Sequence, residues 1–299
     1  MIRAPRSALG IALLVLSACG HIAPPSHQPS GANCSIDGWQ KAWEARADFQ
    51  SPESAAIATE NGTIFVSNVN GYARNGKGFI SRLSMTGDVL DLHWMNGLNA
   101  PTGLRVEDET LWVVDYDRVV KINIPDRAID RVYTAPDDDP LLNDLFVTDD
   151  GTVFVTGSAS RTVYQLLDDE LTVWRREPDL LRDANGIAVD SDHVYVAGYA
   201  LVAIDRSDLS ITRIGVPRDL FDFEGVLLDG RGGWLVSRIG NHPLVALNKN
   251  GRATPLFSGE RYVADFDAVE DFIVAPISTD KVAGFSNRRC SADPRRGSS

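Results

Sequence analysis

The chain has 299 residues, a formal net charge of −12 and a hydrophobic content of 43%. This apolar content excludes a disordered chain, and the length fits either one large all-β domain or two ordinary domains. The negative charge argues against nucleic acids and anionic lipid surfaces as binding partners, because both would repel the protein.

Residues 1–18 have the organisation of an export signal. Arg3 and Arg6 precede an apolar run, Leu9 to Leu16, that is too short to span a bilayer as a mature helix. The run ends in Leu16-Ser17-Ala18-Cys19, which resembles the bacterial lipobox. The resemblance implies cleavage before Cys19 and acylation of this cysteine, with palmitate among the lipids. An ordinary secretory signal with a chance cysteine is the alternative.

A lipidated Cys19 predicts a lipoprotein of the cell envelope that is anchored to a membrane. Gly20 rather than Asp follows the cysteine, which predicts the periplasmic side of the outer membrane in a Gram-negative cell. Residues 19–33 are rich in proline and predict a flexible tether, and residues 291–299 predict a disordered tail. Cys34 and Cys290 remain, one at each end of the folded region 34–290, and an oxidising compartment allows them to form a disulfide.

A β-rich segment recurs six times after residue 50. The six segments are Thr63–Ser67, Thr110–Val114, Thr152–Thr156, His193–Ala197, Gly233–Ser237 and Asp271–Ala275. Their central residues are 47, 42, 41, 40 and 38 positions apart. A period near 40 residues built from short strands is typical of propeller blades, so the sequence predicts an all-β fold, a six-bladed β-propeller.

The sixth repeat supplies only three strands, Phe266–Val269, Phe272–Pro276 and Lys281–Ser286. One strand is left over before the first repeat, at Ala42–Phe49. We expect this strand to complete the last blade, because ring closure pairs an edge that would otherwise stay open. The same closure would bring Cys34 close to Cys290.

Polar residues stand at the entrance of the innermost strand of each repeat, where one mouth of a propeller channel lies. These residues are Glu53, Thr102, Asn143, Asn185, Glu224 and Asp265. Carboxylates that converge in a narrow channel are costly unless a cation neutralises them. Oxygen ligands predict one divalent cation, Ca²⁺ first, with Mn²⁺, Mg²⁺ or Zn²⁺ as alternatives. Turn-forming asparagines and solvated rim acids are the competing interpretation.

Four short motifs resemble those of the senescence marker protein, gluconolactonase and luciferin-regenerating family of six-bladed propellers. They are Pro52-Glu53-Ser54, Asn143-Asp144, Asn185-Gly186 and Glu224-Gly225. The resemblance implies that Glu53, Asn185 and Glu224 bind the metal and that Asn143 meets the substrate. Glu224 departs from the family pattern, which has Asp there, and its longer arm displaces the carboxylate by about one methylene.

The resemblance implies a monomeric, metal-dependent hydrolase of lactones or related cyclic esters, acting on a small lactone-like or sugar-acid-like molecule. Glu224 would accept a proton, Asn143 would orient the substrate, and Asp115, Arg161 and Arg238 would contact it from loops at the same mouth. The loop from Asn68 to Gly78 has the length and glycine content of a lid. The alternative is a non-catalytic propeller that serves as a binding or assembly module at the membrane.

Overall fold

The computed structural model describes residues 38–287. The signal, the tether, the tail and the three cysteines Cys19, Cys34 and Cys290 lie outside the described residues. Within 38–287 the chain forms strands, turns and loops and no helix. These residues therefore contain no helical segment with the length and apolarity that crossing a membrane requires.

Twenty-four strands form six four-stranded antiparallel sheets within the described region. The first strand is β1 (Trp39–Arg46). Blades 1 to 3 follow in chain order, with strands β2 (Pro52–Ala58), β3 (Thr63–Asn68), β4 (Gly78–Ser84), β5 (Val89–Leu98), β6 (Pro101–Glu107), β7 (Thr110–Asp115), β8 (Arg118–Asn123), β9 (Ala128–Thr134), β10 (Leu142–Val147), β11 (Val153–Gly157), β12 (Thr162–Leu167) and β13 (Glu170–Arg176). Blades 4 to 6 contain β14 (Ile187–Val189), β15 (His193–Val196), β16 (Val202–Asp205), β17 (Ile211–Arg213), β18 (Phe223–Leu228), β19 (Trp234–Arg238), β20 (Leu244–Leu247), β21 (Ala253–Pro255), β22 (Asp267–Val269), β23 (Phe272–Ser278) and β24 (Lys281–Asn287).

The sequence-based prediction of a six-bladed propeller is confirmed, and so is its closure. Blades 1 to 5 each run in simple chain order, whereas the sixth sheet has the order β1-β24-β23-β22. In that sheet Trp39 pairs with Asn287 and Arg46 with Lys281. The closing strand lies three residues before its predicted position, since the chain bends after Arg46. Phe49 then packs in the core between blades 6 and 1.

The core consists of six apolar clusters, one at each interface between neighbouring blades. The second strand of the first blade is buried along its whole length, since blades lie on both sides of it. Its β-branched and aromatic residues, such as Ile64 and Phe65, suit a strand that is covered on both faces. Each fully buried Ile or Phe contributes about 2 kcal/mol of hydrophobic stabilisation, so the blade interfaces hold the ring together.

Candidate active site

The predicted strand entrances coincide with an irregularity that recurs in four blades. The register between first and second strands shifts between Pro52 and Ala55, Pro101 and Leu104, Leu142 and Leu145, and Phe223 and Val226. Each shift contains one of the predicted residues Glu53, Thr102, Asn143 and Glu224. A β-bulge turns its side chains out of the regular alternation. The bulges therefore place these residues at the entrance of the channel instead of within the blade.

Small residues follow these entrances because the innermost strands approach one another closely. A Cβ on Gly186 would lie 2.6 Å from the carbonyl oxygen of Glu224, and one on Gly103 would lie 2.5 Å from the Asp144 carboxylate. Backbone hydrogen bonds use this proximity: the amide of Gly186 donates to the Glu224 carbonyl at 2.6 Å. Blades 4 and 5 thus hold the Asn185 and Glu224 side chains next to each other.

Asn185, Glu224 and Glu53 meet at this mouth. The Asn185 amide Nδ2 donates to Oε2 of Glu224 at 2.8 Å. Glu53 interacts electrostatically with Glu224 and Asp265, and its carboxylate accepts a hydrogen bond from the hydroxyl of Tyr262. The amide of Asp265 donates to the Glu53 carbonyl at 3.0 Å, so blade 6 fixes the backbone of blade 1 here. The structure brings all three predicted metal ligands into one cluster.

Both carboxylates in this cluster are difficult to ionise without a cation. Burial, together with repulsion from the neighbouring Glu224 and Asp265, raises the pKa of Glu53 to about 8. Burial also raises the pKa of Glu224 to about 7, against the effect of the hydrogen bond from Asn185. The repulsion between neighbouring carboxylates, which contributes to the raised pKa of Glu53, would be offset by a cation bound between them.

Two tyrosines that sequence reasoning did not single out complete the cluster. Tyr262 precedes blade 6 in a loop without strand pattern, and Tyr72 belongs to the predicted lid. Burial raises the pKa of both hydroxyls, and so do the carboxylates of Glu53 and Glu224. The one feature of the sequence that could have indicated this arrangement is the aromatic residue Tyr72 inside the glycine-rich loop. The loop is fastened across the mouth by Arg74, whose Nε donates to Asp117 at 2.7 Å.

Asn143 lies at the same mouth but is linked to the cluster only indirectly. Its Nδ2 donates to the hydroxyl of Ser158 at 3.3 Å, and that hydroxyl donates to the Ala184 carbonyl at 2.6 Å. Ala184 directly precedes Asn185. No hydrogen bond within the described region joins Asn143 to Glu53, Asn185 or Glu224.

The three predicted substrate contacts are all engaged elsewhere in the fold. Asp115 is fully buried, accepts the amides of Asn99 and Ala100 at 2.7 and 2.8 Å, and pairs with Arg118. Arg161 is exposed and donates to the Pro178 carbonyl at 3.0 Å.

Arg238 is buried and donates to three backbone carbonyls, those of Phe221, Asn241 and Asp219. Among the described residues no hydrogen bond or ion pair joins Asp115, Arg161 or Arg238 to the carboxylate cluster. Their contacts are those of residues that shape the loops of the mouth.

A layer of buried polar side chains fills the channel beneath the cluster. The hydroxyl of Ser54 donates to the Asp265 carboxylate at 2.5 Å, and the Ile187 amide donates to Asp144 at 3.0 Å. Burial raises the pKa of Asp144 to about 6 and that of Asp265 well above its ordinary value. Buried Arg105 lies 3.9 Å from Asp267 and adjoins a cavity of about 620 Å³ at the opposite end of the channel. Buried polar side chains therefore separate the cluster from this cavity.

The donor set fits a divalent cation that prefers oxygen. The buried Oδ1 of Asn185 has no hydrogen-bond donor, although Nδ2 of the same amide is bonded to Glu224. An unsatisfied acceptor beside two carboxylates is the kind of arrangement that a Ca²⁺ ion completes. No three His, Cys, Asp or Glu side chains in residues 38–287 are close enough to form a metal site by themselves. The predicted set, with two glutamates and one asparagine, does not need three such residues.

Comparison with known proteins gives a fold and no closer relationship. No protein-family model matches the chain, and no curated protein matches it in sequence. Among solved structures, a gluconolactonase from Xanthomonas campestris matches with a TM-score of 0.63 and 16% identity, covering 82% of this chain and 88% of its own. Virginiamycin B lyase from Staphylococcus aureus matches with a TM-score of 0.60 and 12% identity, covering 83% and 99%. The likeness is one of fold.

Proposed function

We propose that the domain is a metal-dependent hydrolase of lactones or related cyclic esters. The observation that carries the proposal is the convergence of Glu53, Glu224 and the unsatisfied Asn185 Oδ1 at the mouth of the channel. That the similar solved structures include a gluconolactonase and a lyase is consistent with an enzyme of this general kind.

The chain supplies groups for binding, orientation and proton transfer. Glu53, Asn185 and Glu224 would hold the cation, which would polarise the ester carbonyl and lower the pKa of a water molecule beside it. Glu224 would accept the proton of the attacking water. Asn143 would orient the substrate from the side of blade 3.

The proposed reaction consumes one water molecule for each ester. The water oxygen attacks the carbonyl carbon, and the bond between that carbon and the ring oxygen breaks. The proton taken up by Glu224 passes to the leaving ring oxygen, so a hydroxy acid is formed and Glu224 returns to its starting state. Tyr262 holds the Glu53 carboxylate in place through its hydroxyl during these steps.

Cation binding tests the proposal before any substrate is chosen. We expect the domain to bind one divalent cation, with Ca²⁺, Mn²⁺ and Mg²⁺ compared by calorimetry. Glu53→Gln keeps the shape of the side chain but removes one of two negative ligands, and should weaken binding about tenfold or more. Glu60→Gln is the matched control, since Glu60 is exposed and lies at the opposite end of the channel. A domain that takes up no cation would contradict the metal site and the hydrolysis that depends on it.

We also propose that the domain works at a membrane surface, in the cell envelope, through a lipid on Cys19. Small residues before the cysteine and the short apolar run support this proposal. Cys19→Ser should abolish metabolic labelling with palmitate and leave the precursor uncleaved. Wild-type protein that matures without taking up lipid would contradict the anchor.

A further inference from the structure

Exposed apolar side chains border one side of the mouth that holds the glutamates. Together with half-buried Tyr262 they form what we call the apolar arc: Tyr199 (39% exposed), Phe221 (50%), Ile239 (56%) and Tyr72 (54%). The other large apolar side chains that are exposed within residues 38–287 lie on third and fourth strands of the blades. Exposed apolar groups gathered beside a polar cluster indicate a surface that binds a ligand.

Backbone contacts link the loops that carry the arc, from blade 4 through blades 5 and 6 to blade 1. The amide of Phe223, at the start of blade 5, donates to the Gly198 carbonyl next to Tyr199 at 2.8 Å. Ile239 and Tyr262 form a β-bridge between the loops of blades 5 and 6. Tyr72 reaches the same place from the lid, where it interacts with Glu53 and Glu224.

Two arginines contact the aromatic rings of the arc. Arg238 joins the loop of Phe221 to the loop of Ile239 through hydrogen bonds to three carbonyls, and its guanidinium lies 5.8 Å from the Phe221 ring centre. Arg182 lies 3.3 Å from the Tyr199 ring centre and 3.6 Å from an oxygen of Asp183.

The opposite side of the mouth is acidic. Blade 2 and the link to blade 3 contribute a cluster of carboxylates: Asp117, Asp137, Asp138 and Asp139. Arg74 pairs with Asp117 and Arg176 with Asp137, so two arginines face four acids. The surplus of carboxylates on this side repels negatively charged molecules.

We infer that the site acts on uncharged cyclic esters that carry an apolar substituent, with the ester carbonyl beside Glu53 and Glu224 and the substituent on the apolar arc. This inference rests on the proposed hydrolase function. The gain in affinity follows from removing Phe221, Ile239 and the tyrosine rings from water, and it grows with the apolar area covered. An unsubstituted or polyhydroxylated lactone would leave most of that area exposed. An anionic lactone would be repelled by the carboxylates on the acidic side of the mouth.

Three δ-lactones with the same six-membered ring test the inference. δ-Valerolactone has no substituent, δ-decalactone carries a pentyl chain, and glucono-δ-lactone carries hydroxyl groups. For the cation-loaded domain, we expect kcat/KM for δ-decalactone to exceed both others by about tenfold. Phe221→Ser and Ile239→Ser should each lower kcat/KM for δ-decalactone about fivefold and leave δ-valerolactone unchanged.

The matched control is Ile129→Ser. Ile129 is 47% exposed, close to Ile239 in exposure, but it lies on β9 away from the mouth. Its replacement should leave kcat/KM unchanged for all three lactones. If kcat/KM is equal for all three lactones and neither arc variant changes it, the inference is overturned while the hydrolase function stands. That result would favour a protein partner for the arc.

Absence of turnover on every lactone would contradict the hydrolase function, and direct binding then decides the inference. Equilibrium dialysis with δ-decalactone gives that measurement. Binding that is lost in Phe221→Ser would support the apolar arc as a site for such ligands. No binding to the wild-type domain would overturn the inference together with the function.

Discussion

Glu53 and Glu224 show how burial and mutual repulsion act on single side chains at this mouth. Their pKa values in the folded domain, about 8 and about 7, exceed the ordinary value of 4.5. The folded state therefore holds these protons more tightly than the unfolded state does. The resulting stabilisation is fully present below about pH 4.5 and is lost as the pH rises through about 7 and 8.

This linkage predicts that the cation-free domain becomes less stable as the pH rises. In chelator, the melting temperature should fall between about pH 5 and pH 9, and Glu53→Gln should show a smaller fall because its amide cannot ionise. Added Ca²⁺ should restore the stability of the wild-type domain at high pH. An identical pH dependence in the wild type and Glu53→Gln would show that this carboxylate is not buried as described.

The lid, residues 68–78, shows how one side chain orders a loop. Arg74 donates to Asp117 at 2.7 Å, donates to the Asp138 carbonyl, and lies 4.9 Å from the ring centre of Tyr116. All three partners belong to blade 2 or to the link that follows it, whereas the loop belongs to blade 1. The loop is thereby held across the mouth with Tyr72 near the glutamates.

Arg74→Ala should loosen the lid without unfolding the domain. We expect faster amide hydrogen exchange in residues 69–77 and a loss of stability below about 1 kcal/mol, because exposed ion pairs contribute little. Arg127→Ala is the control, since Arg127 is similarly exposed and pairs with Asp91 on the outer strands. Unchanged exchange in the loop of Arg74→Ala would indicate that other contacts order it.

Closure of the ring depends on how β1 packs against the last blade and the first blade. Trp43 of β1 donates from Nε1 to the Met85 carbonyl of blade 1 at 2.9 Å. The same ring covers Gly284 of β24 so closely that a Cβ there would lie 2.3 Å from it. Trp43 thus joins the last blade to the first, and a glycine at 284 makes room for it.

Gly284→Ala should therefore destabilise the whole domain. A methyl group must displace the Trp43 ring, and overpacking of this kind costs about 1–3 kcal/mol. Gly215→Ala is the control, because a Cβ on Gly215 meets nothing within 4 Å. Urea unfolding followed by tryptophan fluorescence measures both variants. Equal stabilities for the two would mean that the Trp43 contact does not contribute to closure.

The sequence by itself determined the blade number, the strand content and the closure of the ring. The period near 40 residues and the missing fourth strand of the last repeat carry that information, since each blade must bury both faces and pair its edges. It also placed Glu53, Asn185 and Glu224 at one mouth, because residues at equivalent blade positions meet at the axis. The lipid anchor and the Cys34–Cys290 disulfide remain predictions.

Only the tertiary structure decided what surrounds these three residues. Tyr72 and Tyr262 come from loops without periodicity, and their proximity to Glu53 depends on how those loops fold over the mouth. Arg238 illustrates the converse: a loop arginine suggests anion binding in sequence, but its guanidinium donates to backbone carbonyls of the neighbouring loops, those of Asn241 and Asp219. The repeat in the sequence predicts contacts between equivalent positions of the blades, whereas contacts between loops arise from packing between distant blades.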